Sequence, residues 1–286
     1  MGWAAERLGM IPPIANDFVA GEQVPAALDH ARELNDGGVG AILNLLGEHY
    51  DDRTRATADA AAYCGLVDEI ADVGLDARIS IKPSQLGIDV SEAVFRENLA
   101  DVVDRASERD VFVWLDMEDH TTTDTTLDAF EAEVTDHSQM GVCVQSNLER
   151  TRADLERLVE LPGTVRLVKG AYTPPPDLAY REKSRVNERY RADMAFLFEH
   201  ADHVAVGSHD PEMIEHAMDL HDEFGTDFEI QMLMGVREKA QFALADAGYD
   251  VVQYVPYGEK WLQYFYRRVR ERKANALFAL RAVVGN

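Results

Sequence analysis

Eight short β-branched runs, separated by helix-like stretches, constrain this chain more than any other feature of its 286 residues. They read VGAILNLL (39–46), ARISIK (77–82), VFVWLDM (111–117), GVCVQS (141–146), VRLVK (165–169), HVAVGS (203–208), FEIQML (228–233) and DVVQYV (250–255). Strands alternating with helices at intervals of about 20 to 40 residues set the rhythm of βαβ units. No Gly/Ser linker or low-complexity stretch interrupts the series. Count and length together predict one α/β domain over 1–286, a closed (β/α)8 TIM-type barrel with a short helical lead-in at about 1–35. An open doubly wound sheet is the alternative, but the first βα turn lacks a GxGxxG fingerprint.

Apolar residues make up 46% of the chain, enough for a large core. No run approaches the ~18 apolar residues of a membrane span. The N-terminus has no apolar signal core, and Glu6 breaks the myristoylation pattern, so a cytoplasmic protein is expected. Cys64 and Cys143 are isolated and read as core thiols. Of the 28 basic residues 22 are Arg and 6 Lys, and the net charge is −24. The acidic residues are spread over predicted helices such as SEAVFRENLADVVDRASERD (91–110). A uniformly acidic, lysine-poor surface suits concentrated salt, where charge repulsion is screened within ~3 Å at 1 M. With no basic stripe, nucleic acid is excluded as a partner.

Polar residues end nearly every strand: Glu48, Lys82, Asp116 with Glu118, Gln145, Lys169 with Tyr172, Ser208 with His209, Gln231, and Tyr254 with Tyr257. A parallel barrel gathers such ends at one mouth, where its active sites are built. The stretch VRLVKGAY (165–172), with Arg166 and Lys169 set among apolar strand residues, is then expected at the rim of a ligand pocket. The stretch WLQYFYRRVRERKANALF (261–278) predicts a last helix starting at the mouth, where Arg267 and Arg268 form a fork for a carboxylate or phosphate. The bland reading is a solvated face, with Glu271 pairing Arg267 at i+4. Asp116 has three readings: a base, a metal ligand with Glu118 and Asp119, or an ion-pair partner of Lys82 or an arginine. No HExxH-like spacing backs the metal, so none is assigned. Lys169 also fits a Schiff-base lyase.

Together FVAGE (18–22), SIKPSQLG (80–87), LDMED (115–119), VQSNLERT (144–151), VRLVKGAY, GSHD (207–210), FEIQMLMG (228–235), YVPYG (254–258) and YFYRRVRERKAN (264–275) resemble the proline dehydrogenases, FAD-dependent enzymes on a (β/α)8 barrel. The resemblance implies that Arg267 and Arg268 bind the L-proline carboxylate and Glu271 orders them. It implies a substrate pocket completed by Lys82, Asp116, Tyr172, Leu233, Tyr254 and Tyr264. It also implies FAD contacts from Met117, Gln145, Arg166, Lys169, Gly170, Ala171, Ser208 and His209. Asp116 and Arg166 are the catalytic candidates, Arg166 as the positive charge that favours the reduced flavin. No residue stands out as the base for the substrate amine. The expected activity is proline oxidation to 1-pyrroline-5-carboxylate, electrons leaving to a quinone or other acceptor. Quinone use would bring peripheral contact with the inner face of the cell membrane, although no amphipathic basic helix marks one. The chain departs from the family where Asp210 replaces a common Asn, where Thr173 and three prolines follow KGAY, and where Arg272 replaces a frequent Asn. A cofactor-free lyase using Lys169 and a non-catalytic binding barrel are the competing readings.

Overall fold

In the computed structural model, residues 17–262 and 264–266 are described. Helix α1 (Val24–Asp36) precedes β1 (Gly40–Leu45), and the chain then alternates strictly. The order continues α2 (Arg53–Val73), β2 (Ala77–Ile81), α3 (Glu92–Arg109), β3 (Val113–Leu115), α4 (Thr123–Val134) and β4 (Met140–Gln145). It finishes α5 (Thr151–Leu158), β5 (Thr164–Val168), α6 (Lys183–His200), β6 (His203–Gly207), α7 (Pro211–Phe224), β7 (Asp227–Leu233), α8 (Glu238–Asp246) and β8 (Asp250–Tyr257). All eight expected strands are present within two residues of their predicted bounds, β3 being shorter by two at each end. They pair in parallel, each with the next, and β1 closes on β8 with Leu43 opposite Val255. The fold is a (β/α)8 barrel, not an open sheet.

Local chemistry fixes where the helices start and stop. Asp52, Ser91 and Asp210 cap α2, α3 and α7 by accepting from Thr54 N, Val94 N and Glu212 N. Each such cap contributes about 0.5–2 kcal/mol. Gly74 and Gly225 end α2 and α7 in the left-handed conformation that glycine adopts without steric cost.

The pleat decides what lies inside. Alternate strand residues face opposite sides, so Val165 and Leu167 join the core between barrel and helices. Arg166, between them, points into the barrel and is only 4% exposed. Ile42, Trp114, Ala205 and Val252 form an apolar layer inside the barrel. Gly141 leaves room for that indole: a Cβ there would lie 2.3 Å from a Trp114 ring carbon. A smaller cluster of Phe18, Val19, Leu46, Trp261 and Tyr264 sits apart from the main core. It seats the FVAGE stretch against the end of β8, where Ala20 N donates to Pro256 O at 2.9 Å and Trp261 Nε1 to Glu22 Oε1 at 3.1 Å.

Candidate active site

At the C-terminal mouth of the barrel four strands converge on one carboxylate. Asp116, just past β3, accepts from Lys82 Nζ at 2.8 Å and from Tyr254 OH at 2.8 Å on one oxygen. Its other oxygen accepts from Ser80 Oγ at 2.8 Å and from Arg166. Lys82 also donates to Tyr254 OH at 3.1 Å. Lys82 and Asp116 follow strands β2 and β3, Arg166 lies in β5 and Tyr254 in β8, so only barrel closure brings them together. Two cations against one buried anion leave the cluster with one net positive charge, a suitable floor for an anionic ligand.

The protonation states follow from the contacts. Burial alone would raise the Asp116 pKa, but the Lys82 ammonium and Arg166 guanidinium outweigh it and hold the carboxyl well below the usual range. Burial works against the Lys82 ammonium, yet Asp116 raises its pKa well above that of a free lysine. Burial and then the Asp116 charge raise the Tyr254 phenol likewise. At neutral pH the set is ammonium, guanidinium, carboxylate and neutral phenol.

Arg166 is fixed from three sides. Beyond Asp116 it donates to Gln231 Oε1 at 3.2 Å, and its guanidinium lies 4.9 Å from the Trp114 ring centroid. Gln231 in turn donates to Glu229, and Glu229 pairs with Arg78. Polar side chains therefore run from the mouth down into the barrel. Sequence reading noted Gln231 as a strand end, but it missed Ser80, Glu229 and Arg78. The available signal was polar residues at alternate, inward positions of ARISI and DFEIQML.

Glu118 does not join Asp116. It turns into the loop after β2 and accepts from Ser84 N and Ser84 Oγ, both at 2.8 Å. Tyr172 is half-buried and lines an acidic cleft of about 220 Å³ with His49, Asp89, Glu118 and Asp119. Those carboxylates make the cleft a poor seat for an anion. Leu233 ends β7 partly exposed, and its N–H donates to His209 Nε2 at 2.8 Å. That places the proton of the neutral His209 ring on Nδ1. Tyr264 is buried in the FVAGE cluster. Arg267, Arg268 and Glu271 lie outside the described residues.

The residues expected at the cofactor occupy the ends of β3 to β6. Met117 and Gln145 are buried, and Gln145 Nε2 donates to Glu118 O at 2.9 Å. Gly170 and Ala171 are exposed at the rim. Gly170 takes φ +109, and a Cβ there would lie 2.2 Å from Asn147 Oδ1. That Asn147 oxygen is buried without a hydrogen-bond partner, the condition of a group awaiting a ligand or water. Ser208 is buried just past the end of β6, and its Oγ accepts from Asp210 N at 3.2 Å. Lys169 Nζ pairs with Asp210 at 2.8 Å. Arg166 and Lys169 supply positive charge for the phosphates of a dinucleotide such as FAD, the glycine rim leaves it room, and the unpartnered Asn147 oxygen fits one of its hydroxyl or N–H donors. The ion pair on Lys169 removes support from the lyase reading, which needs a free amine.

Among the described residues, His203, Glu229 and Asp250 bring metal-ligand atoms within 4.8 Å of one another. They lie toward the opposite end of the barrel, where Arg78 already holds Glu229. No helix among the described residues is long and apolar enough to cross a membrane.

Residues 27–281 match the family model described as Proline dehydrogenase. The chain is 32% identical over 273 residues to Proline dehydrogenase 1 of Bacillus subtilis subsp. natto, covering 94% of this chain and 90% of that one. It is 34% identical over 282 residues to Proline dehydrogenase of Deinococcus radiodurans, covering 95% and 90%. Among solved structures, proline utilization A from Bdellovibrio bacteriovorus, inactivated by N-propargylglycine, superposes with a TM-score of 0.83 at 23% identity. That match covers 89% of this chain and 32% of the other. Proline utilization A from Corynebacterium freiburgense gives 0.77 at 22% identity, over 94% and 32%. This chain thus spans about a third of the length of those two proteins, and their likeness speaks to the barrel alone. Family model and curated relatives agree over nearly the whole chain, which belongs to the proline dehydrogenase family.

Proposed function

We propose that this chain oxidises L-proline to 1-pyrroline-5-carboxylate, the first step of proline catabolism, with FAD supplying the redox chemistry by accepting hydride from proline C5 at flavin N5. The observation that carries the reading is the Lys82–Asp116–Arg166–Tyr254 cluster at the mouth of a family barrel. Electrons pass on to a quinone or another acceptor; with quinone, the protein works at the inner face of the cell membrane as a peripheral protein. Its acidic surface is an adaptation to concentrated salt.

Each group has a task. Asp116 holds Lys82, Arg166 and Tyr254 in fixed positions, so the site needs little reorganisation when substrate arrives. Lys82 and Tyr254 face the imino acid, with Tyr172, Leu233 and Tyr264 as walls that exclude water. Arg267 and Arg268 clamp the carboxylate, a role that rests on the sequence resemblance. Met117, Gln145, Lys169, Gly170, Ala171, Ser208 and His209 seat the cofactor, and the Arg166 charge favours its reduced form. None of the cluster residues is a free base at neutral pH, because Asp116 is strongly acidic while Lys82 and Tyr254 stay protonated. The substrate amine therefore gives its proton to solvent, or binds already neutral.

The test is product formation: protein, FAD, L-proline and a dye acceptor, with the cyclic imine trapped by an aromatic amino-aldehyde. Imine from L-proline and none from D-proline is expected. Dye reduction without imine, or no turnover by flavin-loaded protein, would contradict the proposal.

A further inference from the structure

Asp210 fills two anion-binding devices with one side chain. The first is the N-terminus of α7: Asp210 Oδ1 accepts from Glu212 N at 3.3 Å, and Pro211 opens the helix. Helix N-termini carry partial positive charge and unsatisfied N–H groups, which favour a bound anion. The second is Lys169, whose ammonium lies 2.8 Å from Asp210 Oδ2. The pair is only partly buried, with side chains 26% and 27% exposed, so an incoming ligand reaches it without unfolding the loop.

The surroundings are those of a binding face. Lys169 leads directly into Gly170, whose left-handed backbone lies against Asn147. Asn147 is 7% exposed, and its Oδ1 has no partner. Ser208, two residues before Asp210, brings a buried hydroxyl to the same rim. Yet Lys169, the cation at this rim, is already paired with Asp210.

We propose that Asp210 is a built-in competitor for the phosphate anion of the cofactor, and that this ion pair sets how tightly the chain holds FAD. The inference rests on the flavin reading above. Binding requires Lys169 to exchange a carboxylate for a phosphate oxygen. The freed Asp210 carboxylate then stands close to the ligand's own negative charge. At a partly exposed site, one such repulsion corresponds to about a tenfold change in affinity. Holding an internal anion there also keeps Lys169 from recruiting stray phosphates when no flavin is present.

Asp210→Asn is the direct test, since asparagine caps a helix about as well as aspartate and leaves α7 intact. Flavin-free protein would be titrated with FAD, following the quenching of flavin fluorescence, in wild type, Asp210→Asn, Lys169→Met and the double variant. Asp210→Asn should bind FAD about tenfold more tightly than wild type. Lys169→Met should cost more affinity in the Asp210→Asn background than in the native one, the sign of competition between the two side chains. Equal or weaker binding by Asp210→Asn, with wild type binding normally, would overturn the inference and leave the flavin reading standing. Failure of every form to bind FAD would overturn both.

Discussion

Replacing Asp116 with asparagine should unfold the protein about 10 °C earlier, for a reason visible in the donor count. The carboxylate accepts four hydrogen bonds, from Lys82, Tyr254, Ser80 and Arg166. An asparagine offers one oxygen and one NH2 group. Whichever way the amide turns, either Lys82 or Arg166 faces N–H hydrogens and loses its anion. Tyr254 and Ser80 can rotate their hydroxyls to accept, but a cation has no such option. Removing one partner of a buried ion pair costs about 3–5 kcal/mol. At roughly 2–4 °C per kcal/mol for a chain of this size, the fall in Tm is about 10 °C. The pH dependence has a definite sign. Because the folded carboxyl titrates below its unfolded value of about 3.9, the stabilisation is complete above that value and fades as the pH falls towards the folded one. Calorimetry of both proteins between about pH 7 and pH 3 should show the Tm gap at full size near neutrality and narrowing below about pH 4. A Tm gap under about 3 °C, or one that holds constant on acidification, would refute the charge argument.

Other changes probe the remaining contacts. Tyr254→Phe removes the hydroxyl that bridges Lys82 and Asp116 and should raise the proline KM about tenfold with a smaller change in kcat, measured in steady state. Gly170→Ala forces a side chain onto Asn147 at a φ of +109; FAD occupancy of the purified protein should fall, and full occupancy would show the rim is not needed. Arg268→Lys should raise KM sharply by losing bidentate geometry, and an unchanged KM would remove Arg268 from carboxylate binding. The melting temperature should be higher in molar KCl than in dilute buffer, because a net charge of −24 repels itself less when screened; equal values would defeat the salt-adaptation reading.

The barrel was legible because β-branched runs recur with the regularity of a repeated unit, and eight of them suffice to close a sheet. The mouth was legible in the same way: Lys82, Asp116 and Tyr254 end their strands in sequence and meet in space. What lay beneath was harder to read. Arg78 and Glu229 stand 151 positions apart and pair only because β2 and β7 face each other across the closed interior. Glu118 looked equivalent to Asp116, two residues before it, but the backbone beyond β3 turns it towards Ser84. Asp210 stood out in sequence as a departure from the Asn common in the family. Its partner Lys169, 41 positions earlier, became evident only once β5 and β6 stood side by side.

The most direct measurement is the visible spectrum of the purified protein in high salt, recorded without oxygen before and after L-proline is added. Flavin absorption that bleaches with L-proline is the expected result, since it joins cofactor, substrate and reaction in one observation. Flavin absorption unchanged by L-proline would contradict the proposed substrate, and a protein that stays colourless and inert after FAD is supplied would contradict the flavin chemistry itself.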